Sequence, residues 1–347
     1  MMRVTKTLNI ICTIADYSKR QSSLVVCQID NCGDIRCETI VQKPTKDELA
    51  GGSSAKRELF HATFAWLNSA LYAINSTLPT RRKPYYEKIT RFTRISANHW
   101  AEEEMQSKLC IPRIEQILLT HRDRIYACGQ SYSSEHAKIP PESRHESDIE
   151  QFDAKIGEWQ PLIFHNYKKI ALNFDALCAN NLVSGVLGKK IFCFKNGTQD
   201  LTVFDIENRS YEKIKLSLAS NFKYMLKQLV TIGGKLFGIQ RILVDVPLPV
   251  GVPIQFARKI YENMIVQFDA QSNSWHDLYL LQCKYGFLDE ARAIIGILEW
   301  NQKFCIILES VITHNIAIEV ANFATGIYEP PINLPTTITN ALFAFTA

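Results

Sequence analysis

The chain has 347 residues, 46% of them apolar, with 39 basic and 35 acidic side chains and a formal net charge of +4. This is ordinary globular composition with enough chain for a large core, and the near balance of charge excludes the strongly cationic class that binds nucleic acid or anionic membranes. No apolar run reaches the ~18 residues of a membrane helix, so neither a membrane nor a nucleic acid is expected as a partner.

Residues 8–42 read as three short strands, Leu8 to Ile14, Leu24 to Ile29 and Cys37 to Val41, with turns at Asp16 to Lys19 and Asn31 to Asp34. Residues 43–58, with Pro44, Gly51 and Gly52, read as a loop. A second unit runs from about Phe60 to Glu104, with strands at Phe60 to Leu67 and Ala70 to Ile74 around an Asn68-Ser69 turn. An insert from Ser76 to Tyr86 follows, then Ile89 to Arg94 and a strand opening at Trp100. The third unit has Arg113 to Thr120, Arg124 to Gly129, a polar loop from Gln130 to Ser147, and a hairpin around Asp153. The fourth has Asn181 to Leu187, a turn at Gly188-Lys189, Lys190 to Phe194, Leu201 to Asp205 and Tyr211 to Leu216. The fifth has Tyr224 to Ile232, a turn at Gly233-Gly234, Leu236 to Ile239, a long loop from Gln240 to about Glu262, and a hairpin around Asp269. The sixth has Arg292 to Leu298, Lys303 to Leu308, Ile316 to Phe323 and a hairpin to Tyr328.

One phrase is written twice and a half. Gln151-Phe152-Asp153-Ala154 is followed by Trp159 and Leu162, and Gln267-Phe268-Asp269-Ala270 by Trp275 and Leu278, with Trp six positions after Asp in both. Phe204-Asp205 with Tyr211 is the weaker third copy. The phrase is the hairpin between the last two strands of a unit, and its fixed phase sets the register of the repeat. In the second unit the same hairpin, counted from Phe92 to Trp100, is one residue longer.

Each unit therefore reads strand, tight turn, strand, variable loop, strand, Asp turn, strand, with no sustained helical period. The predicted fold is an all-β β-propeller, a single domain over residues 1–347, with six four-stranded antiparallel blades. The expected blades are 1–42 plus 337–347, 59–105, 113–163, 178–217, 223–280 and 290–335; a ring of five or seven stays open. The first unit is one strand short, and Ile338 to Phe345 is a strand with no unit of its own. Pairing that C-terminal strand with the N-terminal blade closes the ring and leaves no strand over.

The units resemble kelch repeats. The resemblance rests on Arg124-Ile125-Tyr126-Ala127-Cys128-Gly129 with Phe152-Asp153 and Trp159, on Lys190-Ile191-Phe192 with Phe204-Asp205 and Tyr211, and on Lys235-Leu236-Phe237 with Phe268-Asp269 and Trp275. Leu71-Tyr72-Ala73 with Trp100 adds a fainter copy. The glycine pair that ends the second kelch strand survives only as Gly129-Gln130 and Asn196-Gly197, and the fifth unit has Gln240-Arg241 there. The resemblance implies a divergent propeller of the kind that binds substrates in cullin-type ubiquitin-ligase adaptors, here without the BTB and BACK helices that precede it in that family.

No catalytic constellation stands out. The eight histidines are unpaired in spacing, no Cys-x-x-Cys or His pair has metal-ligand spacing, and no Gly-x-Ser-x-Gly occurs. Some kelch-type propellers are copper oxidases with Tyr and Cys at the metal; Tyr126 and Cys128 are the candidates here, and core strand residues are the plainer reading. Ser184-Gly185 reads as packing, and Asp153, Asp205 and Asp269 as turn formers rather than reacting carboxylates. No metal and no cofactor is expected. Ten cysteines, mostly in apolar runs, suit a reduced, cytoplasmic protein. The basic start at Arg3 and Lys6 with the apolar run to Ala15, and the sequons at Asn75, Asn196 and Asn208, suit an extracellular propeller instead.

Function on a propeller sits in its loops. Arg81, Arg82, Tyr85 and Tyr86 in the second unit, Tyr132 and His136 in the third, and Arg241 in the fifth all fall after the second strand of their units, so they are expected on one rim. Arg and Tyr are common anchors of interfaces. The expected function is a protein-interaction module for an acidic or phosphorylated peptide or protein, and the alternative is an enzyme on the same scaffold, such as a copper oxidase or a lyase.

Overall fold

The computed structural model describes residues 7–16, 21–44, 62–77, 86–97, 99–110, 113–131, 149–165, 182–196, 199–216, 226–245, 259–280, 292–301, 303–310, 315–322, 327–336 and 338–346. Within them every regular element is a strand. The first blade takes β1 (Leu8–Asp16), β2 (Gln21–Ile29) and β3 (Ile35–Pro44). The second is β4 (Thr63–Leu67), β5 (Ala70–Thr77), β6 (Tyr86–Ser96) and β7 (His99–Glu104). The third is β8 (Arg113–His121), β9 (Arg124–Ser131), β10 (Ile149–Asp153) and β11 (Glu158–Pro161). The fourth is β12 (Leu182–Leu187), β13 (Lys190–Lys195), β14 (Asp200–Asp205) and β15 (Ser210–Lys215). The fifth is β16 (Leu226–Ile232), β17 (Lys235–Asp245), β18 (Lys259–Asp269) and β19 (Ser274–Leu280). The sixth is β20 (Arg292–Trp300), β21 (Lys303–Ser310), β22 (Ile316–Asn322) and the short pieces β23 (Ile327–Tyr328) and β24 (Ile332–Asn333). The last strand, β25 (Thr339–Thr346), belongs to the first blade.

The sheet order of that first blade is β25-β1-β2-β3, so the C-terminal strand supplies its innermost position, as the strand accounting predicts. The closing ladder pairs Leu8 with Thr346, Ile10 with Ala344 and Ile11 with Phe343. Phe345 then stacks on Trp66 of the second blade with ring centroids 4.4 Å apart. The six blades are thus the six units read from the sequence, and the innermost strands β4, β8, β12, β16, β20 and β25 lie side by side around the axis.

Both faces of each blade are apolar, and each face is covered by the next blade. Six buried clusters fill the six seams between neighbours. Ile11, Val26 and Phe345 of the first blade meet Phe64, Leu71 and Phe92 of the second. Tyr72 and Ile89 meet Ile125 and Phe152 of the third, whose Tyr126 and Leu162 meet Ile191 and Phe204 of the fourth. Phe194 and Val203 meet Leu229 and Trp275 of the fifth, and Phe237 and Ile239 meet Phe304 and Ile306 of the sixth. The last seam packs Cys305, Ile307 and Ile318 of the sixth blade on Leu8, Ile10 and Cys27 of the first. A lone blade would leave both faces in water, so the blades stabilise one another as neighbours in a repeat do.

Where strands of neighbouring blades approach without pairing, side-chain amides join them. Asn196 donates to the Leu226 carbonyl and accepts from the Leu226 N–H, both at 2.7 Å. Gln228 donates to the Ile297 carbonyl at 3.3 Å and accepts from the Ile297 N–H at 3.1 Å. Gln116 of the third blade donates to the Ile74 carbonyl of the second at 3.4 Å and accepts from the Ser76 hydroxyl at 3.0 Å. A carboxamide carries the same donor and acceptor as a peptide, so Asn196 and Gln228 each pair with both backbone groups of one residue in the next blade, while Gln116 bridges a carbonyl and a hydroxyl.

Two details depart from the sequence reading. The second-blade hairpin is longer through a bulge between Arg94 and Ser96, and it runs beyond Thr93, so Trp100 faces Arg94 while Phe92 faces Glu102. Trp100 is therefore not the register equivalent of Trp159, which faces Phe152 directly. In the sixth blade the outer edge is two short pieces on β22 rather than one strand, because Pro330 and Pro331 have no N–H to give a ladder. Ser184-Gly185 is packing, as expected: a Cβ on Gly185 would stand 2.8 Å from the Leu229 Cβ of the fifth blade. Gly185→Ala is expected to lower unfolding stability by about 1–3 kcal/mol through overpacking of that seam, measured by urea denaturation.

Candidate functional site

The antiparallel topology sorts the connections by end. The tight turns within each blade and the Asp hairpins emerge at one end of the ring; the connections from second to third strand, and from blade to blade, emerge at the other. At the turn end the polar groups serve the architecture. Asn68 and Ser69 (φ 50° and 62°) and Gly233 and Gly234 (φ 56° and 74°) take the left-handed conformations of two-residue hairpins. Arg122 pairs with Glu207 across the third and fourth blades at 3.0 Å, and the Gly233 N–H donates to Glu299 across the fifth and sixth at 2.9 Å. Asn301 donates to Asn31 at 2.5 Å across the closing seam, and Arg94 pairs with Glu38 across the first and second blades.

The repeated aspartates do what turn formers do. Asp153 Oδ1 accepts from the Lys155 N–H at 2.9 Å. Asp205 Oδ1 accepts from the N–H groups of Glu207 and Asn208, and Asp269 from those of Gln271 and Ser272. Four residues after each Asp the chain turns left-handed, at Gly157 (φ 73°), Arg209 (φ 52°) and Asn273 (φ 50°), which makes the weak third copy geometrically equal to the other two. The paired aromatics pack towards the preceding blade, with centroids 5.3 Å apart for Phe152–Trp159 and for Phe268–Trp275. The Ser272 hydroxyl, and then the Gln271 N–H, hold the Asp269 carboxyl down to about 2.

Tyr126 and Cys128 lie in the apolar seam between the third and fourth blades, 3% and 1% exposed, and burial pushes the Tyr126 phenol up. They are core residues, as the plainer reading holds. Of the sequons, Asn75 and Asn196 are buried, whereas Asn208 is exposed with its amide donating to Asp205 Oδ2 at 2.9 Å. A folded ring therefore leaves Asn208 as the sequon a glycan can reach.

The residues expected to bind a partner fall in or beside the connections from second to third strand. Arg81, Arg82, Tyr85, Tyr132 and His136 fall outside the described residues. Tyr86 opens β6 opposite Thr77, at the open end of its ladder. Arg241 is not in a loop. It sits within β17 opposite Asn263, because the β17–β18 ladder continues through Ile242–Glu262, Leu243–Tyr261, Val244–Ile260 and Asp245–Lys259. The β-branched and apolar residues there favour strand; the prolines beyond them mislead the sequence reading into starting the loop at Gln240. Pro247, Pro249 and Pro253 lie outside the described residues. Tyr86 and Arg241 share an end but not a neighbourhood, since the second and fifth blades face each other across a six-membered ring.

Beneath that end, the seam of the second and third blades holds a polar cluster that the sequence does not announce. Arg113 and Glu150 are both fully buried, with Nε donating to Oε1 at 3.0 Å and Nη1 to the Gly129 carbonyl at 2.7 Å. Glu150 Oε2 accepts from the Cys110 N–H at 2.5 Å, and Glu87 of the second blade accepts from the adjacent Leu109 N–H at 2.9 Å. Two carboxylates from neighbouring blades thus grip consecutive amides of the connection between them. A charged residue opening a strand after Pro112 is the faint signal in the sequence. Among the described residues no three His, Cys, Asp or Glu side chains gather as a metal site, and no helix is long and apolar enough to cross a membrane.

Two outcomes follow. Arg113→Met should cost about 3–5 kcal/mol in urea denaturation, because it strands the buried Glu150 charge. Asp269 lies below its ordinary carboxyl value when folded, so its support of the turn is complete above about pH 4 and is lost as pH falls through about 2. Protection factors of the Gln271 and Ser272 amides should fall over that window, and Asp269→Asn should flatten the profile.

No family model matches the chain, and no curated protein matches it. Solved structures do. A chain of the nidogen/laminin complex is 8% identical, with 96% of this chain and 95% of that one covered and a TM-score of 0.49. The periplasmic gluconolactonase PpgL of Pseudomonas aeruginosa is 9% identical, with 98% and 99% covered and a TM-score of 0.48. A fungal alcohol oxidase in complex with copper is 12% identical, with 96% and 63% covered and a TM-score of 0.41. Membership of the kelch family is not shown, and the strand order by itself makes the chain a six-bladed β-propeller.

Proposed function

We propose that this ring is a protein-interaction module that takes an acidic partner segment across its mouth, at the end opposite the turns. The observation that carries the reading is the unequal use of the two ends. Polar groups at the turn end are engaged in hairpin geometry and blade-to-blade bridges. The connections 78–85, with Arg81, Arg82 and Lys83, 132–148, rich in Ser, and 246–258, rich in Pro and Val, do not repeat in sequence, and each joins strands whose described ends lie at the other end. The fifth-blade ladder runs on past Arg241 to Asp245, β17 having 11 residues against 8 in β5, β9 and β21 and 6 in β13. Arg pairs with carboxylate and phosphate through two parallel bonds, which suits an acidic or phosphorylated segment. Because the second and fifth blades are opposite, the segment would span the axis and not lie along one blade edge. The finer reading suggested by the kelch resemblance is substrate recognition for a ubiquitin ligase.

The test is capture by the intact ring, with bound proteins quantified by mass spectrometry. Arg81→Glu, Arg82→Glu and Arg241→Glu together should lower recovery of the specific prey by roughly tenfold or more, through like-charge repulsion, with the urea midpoint unchanged. Arg122→Glu at the turn end should leave recovery intact. Equal recovery by the triple variant, or loss with Arg122→Glu alone, overturns the reading.

A further inference from the structure

The closing blade contains a cysteine arrangement that its fold does not need. Cys27 of β2 and Cys37 of β3 stand directly opposite in the antiparallel ladder. Opposed residues of such a ladder have Cα atoms about 4.5–5.5 Å apart, inside the range a disulfide spans. Their sulfurs point at one another: Cys37 Sγ donates to Cys27 Sγ at 3.1 Å. The two thiols differ in access. Cys27 is buried in the seam with the sixth blade, whereas Cys37 is exposed on the outer strand. Cys32 is also exposed, at the tip of the same hairpin, where its N–H donates to Asp30 Oδ1 at 2.9 Å.

We propose that Cys27 and Cys37 are a thiol–disulfide modification site, oxidised by a small-molecule disulfide to an intrablade crosslink that fastens the outer half of the closing blade. The exposed Cys37 takes the first step. Its thiolate attacks one sulfur of the donor, the donor S–S bond breaks, and the other donor sulfur leaves as a thiol with one proton. Cys27 then attacks the Cys37 sulfur of the mixed disulfide, and the second donor half leaves with the second proton. Two cysteines are oxidised and one donor disulfide is reduced to two thiols, so atoms and electrons balance. The buried partner lies within reach of the Cys37 sulfur, so the mixed disulfide resolves rather than persists. Their mutual hydrogen bond and burial raise the Cys37 thiol, and the Cys12 thiol beside it raises Cys27, so exchange is slow near neutral pH and the pair is reduced unless the donor is in excess. A crosslink closing that hairpin constrains the unfolded chain and raises stability.

The experiment incubates the native full-length protein with excess glutathione disulfide and follows intact mass without reductant. The expected product is lighter by two hydrogens and carries no glutathione. Cleavage after Arg36 should leave peptide 21–36 joined to the peptide that begins at Cys37. The crosslink should persist in Cys32→Ser, vanish in Cys37→Ser, and raise the urea midpoint reversibly with dithiothreitol. Cys37 is exposed, so Cys37→Ser keeps the test valid even where Cys27→Ser fails to fold. A stable glutathione adduct on Cys37, a crosslink that disappears in Cys32→Ser, or no loss of hydrogens at all overturns the proposal.

Discussion

A four-stranded blade has two apolar faces, and only a closed ring covers both. Every other feature of this molecule depends on that closure. The final link is non-covalent and joins the two ends of the chain, with β25 laid against β1 and Phe345 stacked on Trp66. Without it the first blade loses its inner strand, and the clusters on either side of that blade lose a wall. Burying the two faces of six blades supplies the hydrophobic driving force, while the amide bridges of Asn196, Gln228 and Gln116 satisfy backbone groups where neighbouring blades meet without pairing. Hydrophobic cover and polar satisfaction coincide at the same seams.

Closure also divides labour between the two ends. Hairpins at the turn end must meet strict backbone demands, so their residues repeat: an Asp to bind the turn amides, and a left-handed position four residues later. Connections at the other end join strands already held in place, and length and composition are free to vary there. The Arg113–Glu150 pair with Glu87 anchors one of these connections from below. A buried ion pair adds little net stability against an apolar alternative, but it fixes one geometry, since a displaced partner would leave a charge buried alone.

The blade count, the closing strand and the structural role of the repeated Asp were readable because each follows from a period in the sequence. Hairpin periodicity repeats at fixed phase, and a strand left over at Ile338 had one place to go. The failures came where local chemistry cut across the period. The bulge at Arg94–Ser96 shifts Trp100 out of register with Trp159, and nothing in the spacing marks it. The prolines that follow Arg241 suggest a loop, although Ile242, Leu243 and Val244 carry strand pairing onward to Asp245. Arg113 and Glu150 are 37 residues apart and meet only because β8 and β10 flank β9. Cys27, Cys32 and Cys37 stand five apart in sequence, which matches no ligand pattern; the nearness of Cys27 and Cys37 appears once the ladder sets the two side by side. The binding rim drew on residue type and topology, and register alone places Tyr86 and Arg241 across the ring from one another.

The central claim is that the non-repeating end of the ring does the work and the turn end holds the shape. Residue-level crosslinking of the captured partner tests it most directly. The account predicts crosslinks gathered within residues 78–85, 132–148 and 246–258, on opposite sides of the axis. Crosslinks gathered instead at the turns of Arg122, Lys189 and Gly233 would contradict it.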